Sequence, residues 1–69
     1  MSRLETLGKN LKKYREKKGW SQAKLAEKIG FSTENVCRIE NGKRYISLKK
    51  LFELTEILDV DIIELFKTN

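Results

Sequence analysis

Apolar residues in this chain come only in short stripes at spacings of three and four, and glycine or serine interrupts each stripe before it runs long. Leu4, Leu7, Leu11 and Tyr14 form the first, and Gly19 follows Lys17-Lys18 where a helix C-terminus belongs. The pattern predicts a helix from about Arg3 to Lys18. Ser21 opens a second helix, Gln22 to Ile29, with Leu25, Ala26 and Ile29 inward and Gly30 as its stop. Ser32 opens a third, Thr33 to Asn41, in which Val36 and Ile39 face inward and Asn41-Gly42 closes. Ser47 caps a fourth, Leu48 to Leu58, with an expected core stripe of Leu48, Leu51, Phe52, Thr55 and Leu58. Asp61 caps a last short helix carrying Ile62, Leu65 and Phe66. Lys24, Asn35 and Lys50 stand three residues after the three serine caps, so no capping box supports those starts. The expected fold is all-α, a compact bundle of five helices, each too short to persist in water unless it packs on the others.

With 69 residues, no proline and no low-complexity stretch, the chain reads as one domain over residues 1–69. A chain of this length buries only about 60% of its unfolded surface, which excludes most enzyme architectures. Cys37 is the single cysteine and there is no histidine, so neither an internal disulfide nor an ordinary zinc site can be assembled. No nucleophile has a triad-like neighbour, and the reading is non-enzymatic, without metal, cofactor or small-molecule ligand. No membrane span or signal peptide fits, and the expected location is the cytoplasm.

Charge is unevenly placed. Residues 1–50 hold 14 basic and 5 acidic side chains, whereas residues 51–69 hold 1 and 5. A basic excess of that size points to polyanions, either nucleic acid or an anionic membrane surface. The basic residues are dispersed and oppose no large apolar face, which makes the membrane the poorer choice.

The second and third helices, separated by Gly30-Phe31-Ser32, have helix-turn-helix spacing. Leu11-Lys12-Lys13-Tyr14-Arg15, Trp20-Ser21-Gln22, Leu25-Ala26-Glu27-Lys28-Ile29-Gly30 and Arg38-Ile39-Glu40-Asn41-Gly42-Lys43 resemble the Xre/Cro-like helix-turn-helix family over about residues 7–65. The resemblance implies a repressor-like DNA-binding domain, usually dimeric. Departures are Lys43-Arg44-Tyr45-Ile46 where the family often has proline, Ile57 at a position usually small, Asp59 at one often glycine, and Ile63 at one often polar.

On a helical wheel, Val36, Ile39 and part of Glu40 lie on one side of the third helix, and Thr33, Glu34, Cys37, Arg38 and Asn41 spread around the other. A helix fits the major groove, where arginine grips guanine O6 and N7 together, so Arg38 leads the candidate base readers. Thr33 can meet a thymine methyl, and Glu34 can accept from cytosine N4. Glu34 and Arg38 could equally form a solvent-facing i, i+4 pair. Cys37 on that face makes a thiol contact or redox sensitivity conceivable. Gln22 and Lys24 lie in the first turn of the second helix, where free N–H groups attract an anion. The resemblance implies that Gln22 touches the DNA backbone and braces the start of the third helix. It places Asn41, Lys43 and Arg44 along the same strand, although the last two could be free surface charges, and it makes Arg15 and Glu40 a structural ion pair. Trp20 reads as a plug against the core.

Leu54 and Ile57 fall outside the expected stripe of the fourth helix, and Ile63 lies about 100° from Ile62. These three are the candidate homodimer interface, against the alternative of scattered surface apolar residues. The function that follows is sequence-specific binding of a double-stranded DNA operator, most simply as a dimeric repressor. The alternative is a protein-interaction adaptor or antitoxin-like partner built on the same fold.

Overall fold

The structure is a computed structural model that describes residues 2–68. Helices α1 (Arg3–Lys17), α2 (Gln22–Ile29), α3 (Thr33–Glu40) and α4 (Leu48–Leu58) are followed by a 3-10 segment, Ile62–Phe66, and no strand occurs among the described residues. Among the described residues the fold is therefore all-helical with four α-helices, not five. The Asp61 side chain accepts from the Ile63 N–H at 3.1 Å, and the Glu64 N–H closes back three residues onto the Asp61 carbonyl at 2.9 Å. Five residues held this way wind as a 3-10 turn, because an α-helix has too few bonds at that length to offset its nucleation.

Serine starts three of the helices as the sequence implies. The Oγ atoms of Ser21, Ser32 and Ser47 accept from the N–H groups of Lys24, Asn35 and Lys50 at 3.0–3.2 Å. A fourth cap, missed in the sequence, opens α1: Ser2 Oγ accepts from the Glu5 N–H, and Glu5 Oε1 accepts from the Ser2 N–H, a complete capping box. The spacing Ser-x-x-Glu at residues 2–5 was the signal. Asp59 ends α4 in the left-handed region at φ 55°, doing there what glycine does at low steric cost.

The core has two connected parts. Leu11, Leu25, Ala26, Ile29, Val36, Ile39, Leu54 and Leu58 form the larger, with Trp20 half-buried against it, and Leu7, Leu51 and Leu65 form the smaller. Each fully buried leucine contributes about 1.5–3 kcal/mol from apolar burial. Leu54 is 1% exposed, which removes it from the proposed dimer surface. Helix α4 buries Leu51, Leu54 and Leu58, while Leu48 and Phe52 stand in water. Its inward face is thus turned by about 60° from the expected stripe. The cause is tertiary: α4 packs over α2 with Leu54 and Leu58 while Leu51 reaches Leu7 and Leu65, so the buried arc lies between those two neighbours.

Buried Asn10 fastens the end of the chain to the middle of α1. Its Nδ2 donates to the carbonyls of Leu65 at 2.9 Å and Lys67 at 2.8 Å. Tyr14 Oη adds a bond to Glu64 Oε1 at 3.1 Å, one turn further along.

Candidate nucleic-acid interface

Helix α3 is set in place by a polar knot at its C-terminal end. Arg15 Nε donates to Glu40 Oε2 at 2.6 Å, Arg15 Nη2 to Glu40 Oε1 at 3.1 Å, and Arg15 Nη1 to the Trp20 carbonyl at 2.7 Å. The two side chains are 8% and 1% exposed, so this forked pair works in a low-dielectric setting where its hydrogen bonds are strong. The bonded carboxylate raises the Arg15 pKa and keeps the guanidinium charged. Gln22 Nε2 donates to the same Glu40 Oε1 at 3.0 Å. The implied brace is therefore relocated: Gln22 holds the end of α3, not its start, because its first-turn position on α2 faces Glu40.

Gly8 lets the two helices meet. A Cβ there would collide with the carbonyl oxygens of Ile39 and Glu40, so only glycine permits this approach of α1 to the last turn of α3. Gly42 then turns the chain at φ 71°, with Glu5 of α1 against it; a Cβ at Gly42 would lie 2.9 Å from Glu5 Cγ. A glycine inside the otherwise regular stripe of α1 was the sequence signal for Gly8, but its partner lies in a distant helix.

Held this way, α3 turns Val36, Ile39 and Glu40 inward and leaves Thr33, Glu34 and Arg38 exposed, with Cys37 half-buried beside them. Arg38 Nη2 meets Glu34 Oε1 at 3.3 Å, the two side chains being 55% and 73% exposed. Asn41 Nδ2 lies 3.5 Å from Cys37 Sγ at the end of the same face. Exposed Lys43 and Arg44 follow in the loop. Lys24 on α2 is exposed and pairs with Glu27 at 3.3 Å. The structure thus gathers Thr33, Glu34, Cys37, Arg38 and Asn41 on one helix face and joins Gln22 to them through Glu40. It separates the proposed dimer trio: Leu54 is core, Ile57 is half-buried against the larger cluster, and Ile63 is exposed.

Glu5 borders this region. Its carboxyl sits below the usual range, chiefly because it accepts the Ser2 backbone N–H, with the charge of Lys43 adding to the effect. Among the described residues no cluster of His, Cys, Asp and Glu could hold a metal ion, and no helix is long and apolar enough to cross a membrane.

A family model described as helix-turn-helix matches residues 11–65. An HTH-type transcriptional regulatory protein of Pyrococcus furiosus is 40% identical over 63 residues, covering 87% of this chain and 20% of the relative. The chain spans about a fifth of the length of the Pyrococcus proteins it matches. Among solved structures, the restriction-modification controller protein C.AhdI from Aeromonas hydrophila superposes with a TM-score of 0.83 at 36% identity, covering 91% of this chain and 96% of that one. SinR, the master regulator for biofilm formation, solved in complex with DNA, gives a TM-score of 0.78 at 34% identity over 88% of this chain and 98% of that one.

Proposed function

The chain belongs to the Xre/Cro-like helix-turn-helix family, and on that premise we propose that it is a sequence-specific, double-stranded-DNA-binding transcriptional regulator acting as a dimeric repressor in the cytoplasm. The observation that carries this reading is the exposed polar face of α3 on a helix fixed from behind by the buried Arg15–Glu40 pair. A rigid helix with Thr33, Glu34, Cys37 and Arg38 outward has the width and chemistry of the major groove. Arg38 reads guanine, and Thr33, Glu34 and Cys37 contact neighbouring base edges. Gln22, Lys24, Asn41, Lys43 and Arg44 hold the flanking phosphates and set the register of the helix in the groove.

A second copy covers the apolar side chains that α4 and the 3-10 segment leave in water. Leu48, Phe52, Ile63 and Phe66 are exposed, in a part of the sequence whose net negative charge keeps it away from DNA. Ile63 is retained from the trio read in the sequence, while Phe52 and Leu48 take the place of Leu54. Phe52→Glu with Ile63→Glu yields a folded monomer that binds the operator more weakly, because paired half-sites gain effective concentration. A double variant that still sediments as a dimer removes this surface.

Selection of bound DNA from a random pool tests the whole reading. The expected motif is two half-sites about 34 Å apart, one helical turn, with a log K against log salt slope of roughly −5 to −7. No enriched motif, together with salt-independent retention, overturns it and favours the adaptor or antitoxin-like alternative.

A further inference from the structure

Most cations of this chain are already engaged. Lys24, Arg38, Lys50 and Lys67 lie in ion pairs, Lys13 and Lys17 sit over the Tyr14 ring, and Lys18 and Lys28 over Trp20. Lys9, like Arg3, Lys12, Lys43, Arg44 and Lys49, has no such partner among the described residues. It is exposed on α1, next to the glycine that abuts the end of α3. With Glu5, Glu40 and Asn41 it lines an open pocket of about 240 Å³ at the C-terminal end of α3.

An anion passing that point meets an unfavourable field. The helix dipole is negative there, and two carboxylates line the pocket. Glu40 is neutralised by Arg15, while Glu5 stays ionised, its carboxylate stabilised by the Ser2 N–H and offset only in part by the more distant Lys43. Among the described residues, the Lys9 ammonium is the cation that lines the pocket itself, placed to face an incoming ligand. Asn41 at the pocket wall and Lys43 two residues beyond belong to the row that the DNA reading assigns to the sugar-phosphate strand.

We propose that Lys9 is a further DNA-phosphate contact, carrying the backbone-binding row from Asn41 and Lys43 across onto α1. This assignment rests on the DNA-binding reading. The site takes a backbone phosphate and not a base, because an isolated ammonium on a flexible stem supplies charge without a fixed hydrogen-bonding fork.

The test compares wild type, Lys9→Gln, Lys9→Arg and Lys17→Gln on the DNA motif selected by the wild-type protein, over a salt series. Lys17 lies over the Tyr14 ring on the flank of α1 turned toward the C-terminal segment and serves as the control. Lys9→Gln is expected to keep the motif and the melting temperature while the log K against log salt slope becomes shallower by about one per protomer. Lys9→Arg keeps the wild-type slope, and so does Lys17→Gln. A Lys9→Gln slope equal to wild type overturns the assignment. So does an equal drop for Lys17→Gln, which would mark a diffuse charge effect, or a changed base preference for Lys9→Gln. Failure of the wild-type protein to select any motif overturns the DNA reading itself, and this assignment with it.

Discussion

Helix α3 carries one glutamate–arginine pair on each side, and the two pairs behave differently. Arg15–Glu40 is nearly sealed from water and makes two parallel hydrogen bonds, whereas Glu34–Arg38 is more than half exposed and meets at a single 3.3 Å contact. The same chemistry locks on the inner side and stays exchangeable on the outer. An exposed i, i+4 pair is worth only about 0.3–0.5 kcal/mol, so Arg38 is released from Glu34 at little cost, as the proposed contact with a guanine edge requires. Breaking the inner pair strands a charge in a place that water barely reaches. One helix can therefore be fixed to its scaffold and still offer a surface free to re-form around a ligand.

The contrast is broken most severely at Glu40. Glu40→Ala is expected to destabilise the fold by about 3–5 kcal/mol, read by urea or thermal unfolding, because the Arg15 charge is left uncompensated. Arg15→Met combined with Glu40→Leu should recover most of that loss, since an apolar pair of similar volume needs no desolvated charge. An unchanged melting temperature with lost DNA binding would instead make Glu40 part of the recognition surface.

Gly8→Ala tests the same anchorage through the backbone. In an open helix the change would stabilise by about 1 kcal/mol. Here the new Cβ meets the carbonyls of Ile39 and Glu40, and the forced separation of the helices should destabilise by about 1–3 kcal/mol. The sign of the change in melting temperature decides between the two.

On the outer side, Arg38→Ala should alter stability by less than about 0.5 kcal/mol. It should weaken operator binding by about 1–3 kcal/mol per half-site and flatten preference at one base position. Lys43→Ala should weaken all sequences about equally. A selected motif unchanged by Arg38→Ala would move base reading to Thr33 or Glu34.

The smallest expected effect is on acid stability. Glu5 and Glu64 both have carboxyls below the ordinary 4.5, Glu5 chiefly through the Ser2 backbone N–H and Glu64 chiefly through Lys67 and then Tyr14. Their contribution is complete above pH 4.5 and is lost as pH falls through the lowered values, because protonation then occurs first in the unfolded chain. Glu5→Gln with Glu64→Gln should flatten the acid limb of the melting temperature against pH without moving the neutral value by more than the two lost contacts.

Much of the scaffold was legible because its signals are local. The bounds of α2 and α4 agree with the serine caps and the stops that follow them, and α1 and α3 end one residue early. The facing of α4 was not legible. Its apolar residues cover most of the wheel, and which arc is buried depends on where α2 and Leu65 stand, so Phe52 was placed inside and Leu54 outside when the reverse holds. The partners of Gly8 and Asn10 were hidden for the same reason, lying in segments that no local spacing connects. The outward set on α3 was readable because an eight-residue helix with two inward aliphatic residues admits one orientation.

The clasp made by Asn10 joins residues 55 and 57 positions apart, whereas α2 and α3 meet across a three-residue turn. Closing a loop that long costs about 3.5 kcal/mol of chain entropy before any contact rewards it, by the (3/2)RT ln n relation. The helix-turn-helix unit can therefore assemble before the clasp exists, and the last segment docks on a surface already formed. Contacts made after the rate-limiting step act on the rate of unfolding and leave the rate of folding alone. Asn10→Ala is thus expected to shorten the lifetime of the folded domain and to leave its rate of formation nearly unchanged, which the two limbs of a chevron plot would read.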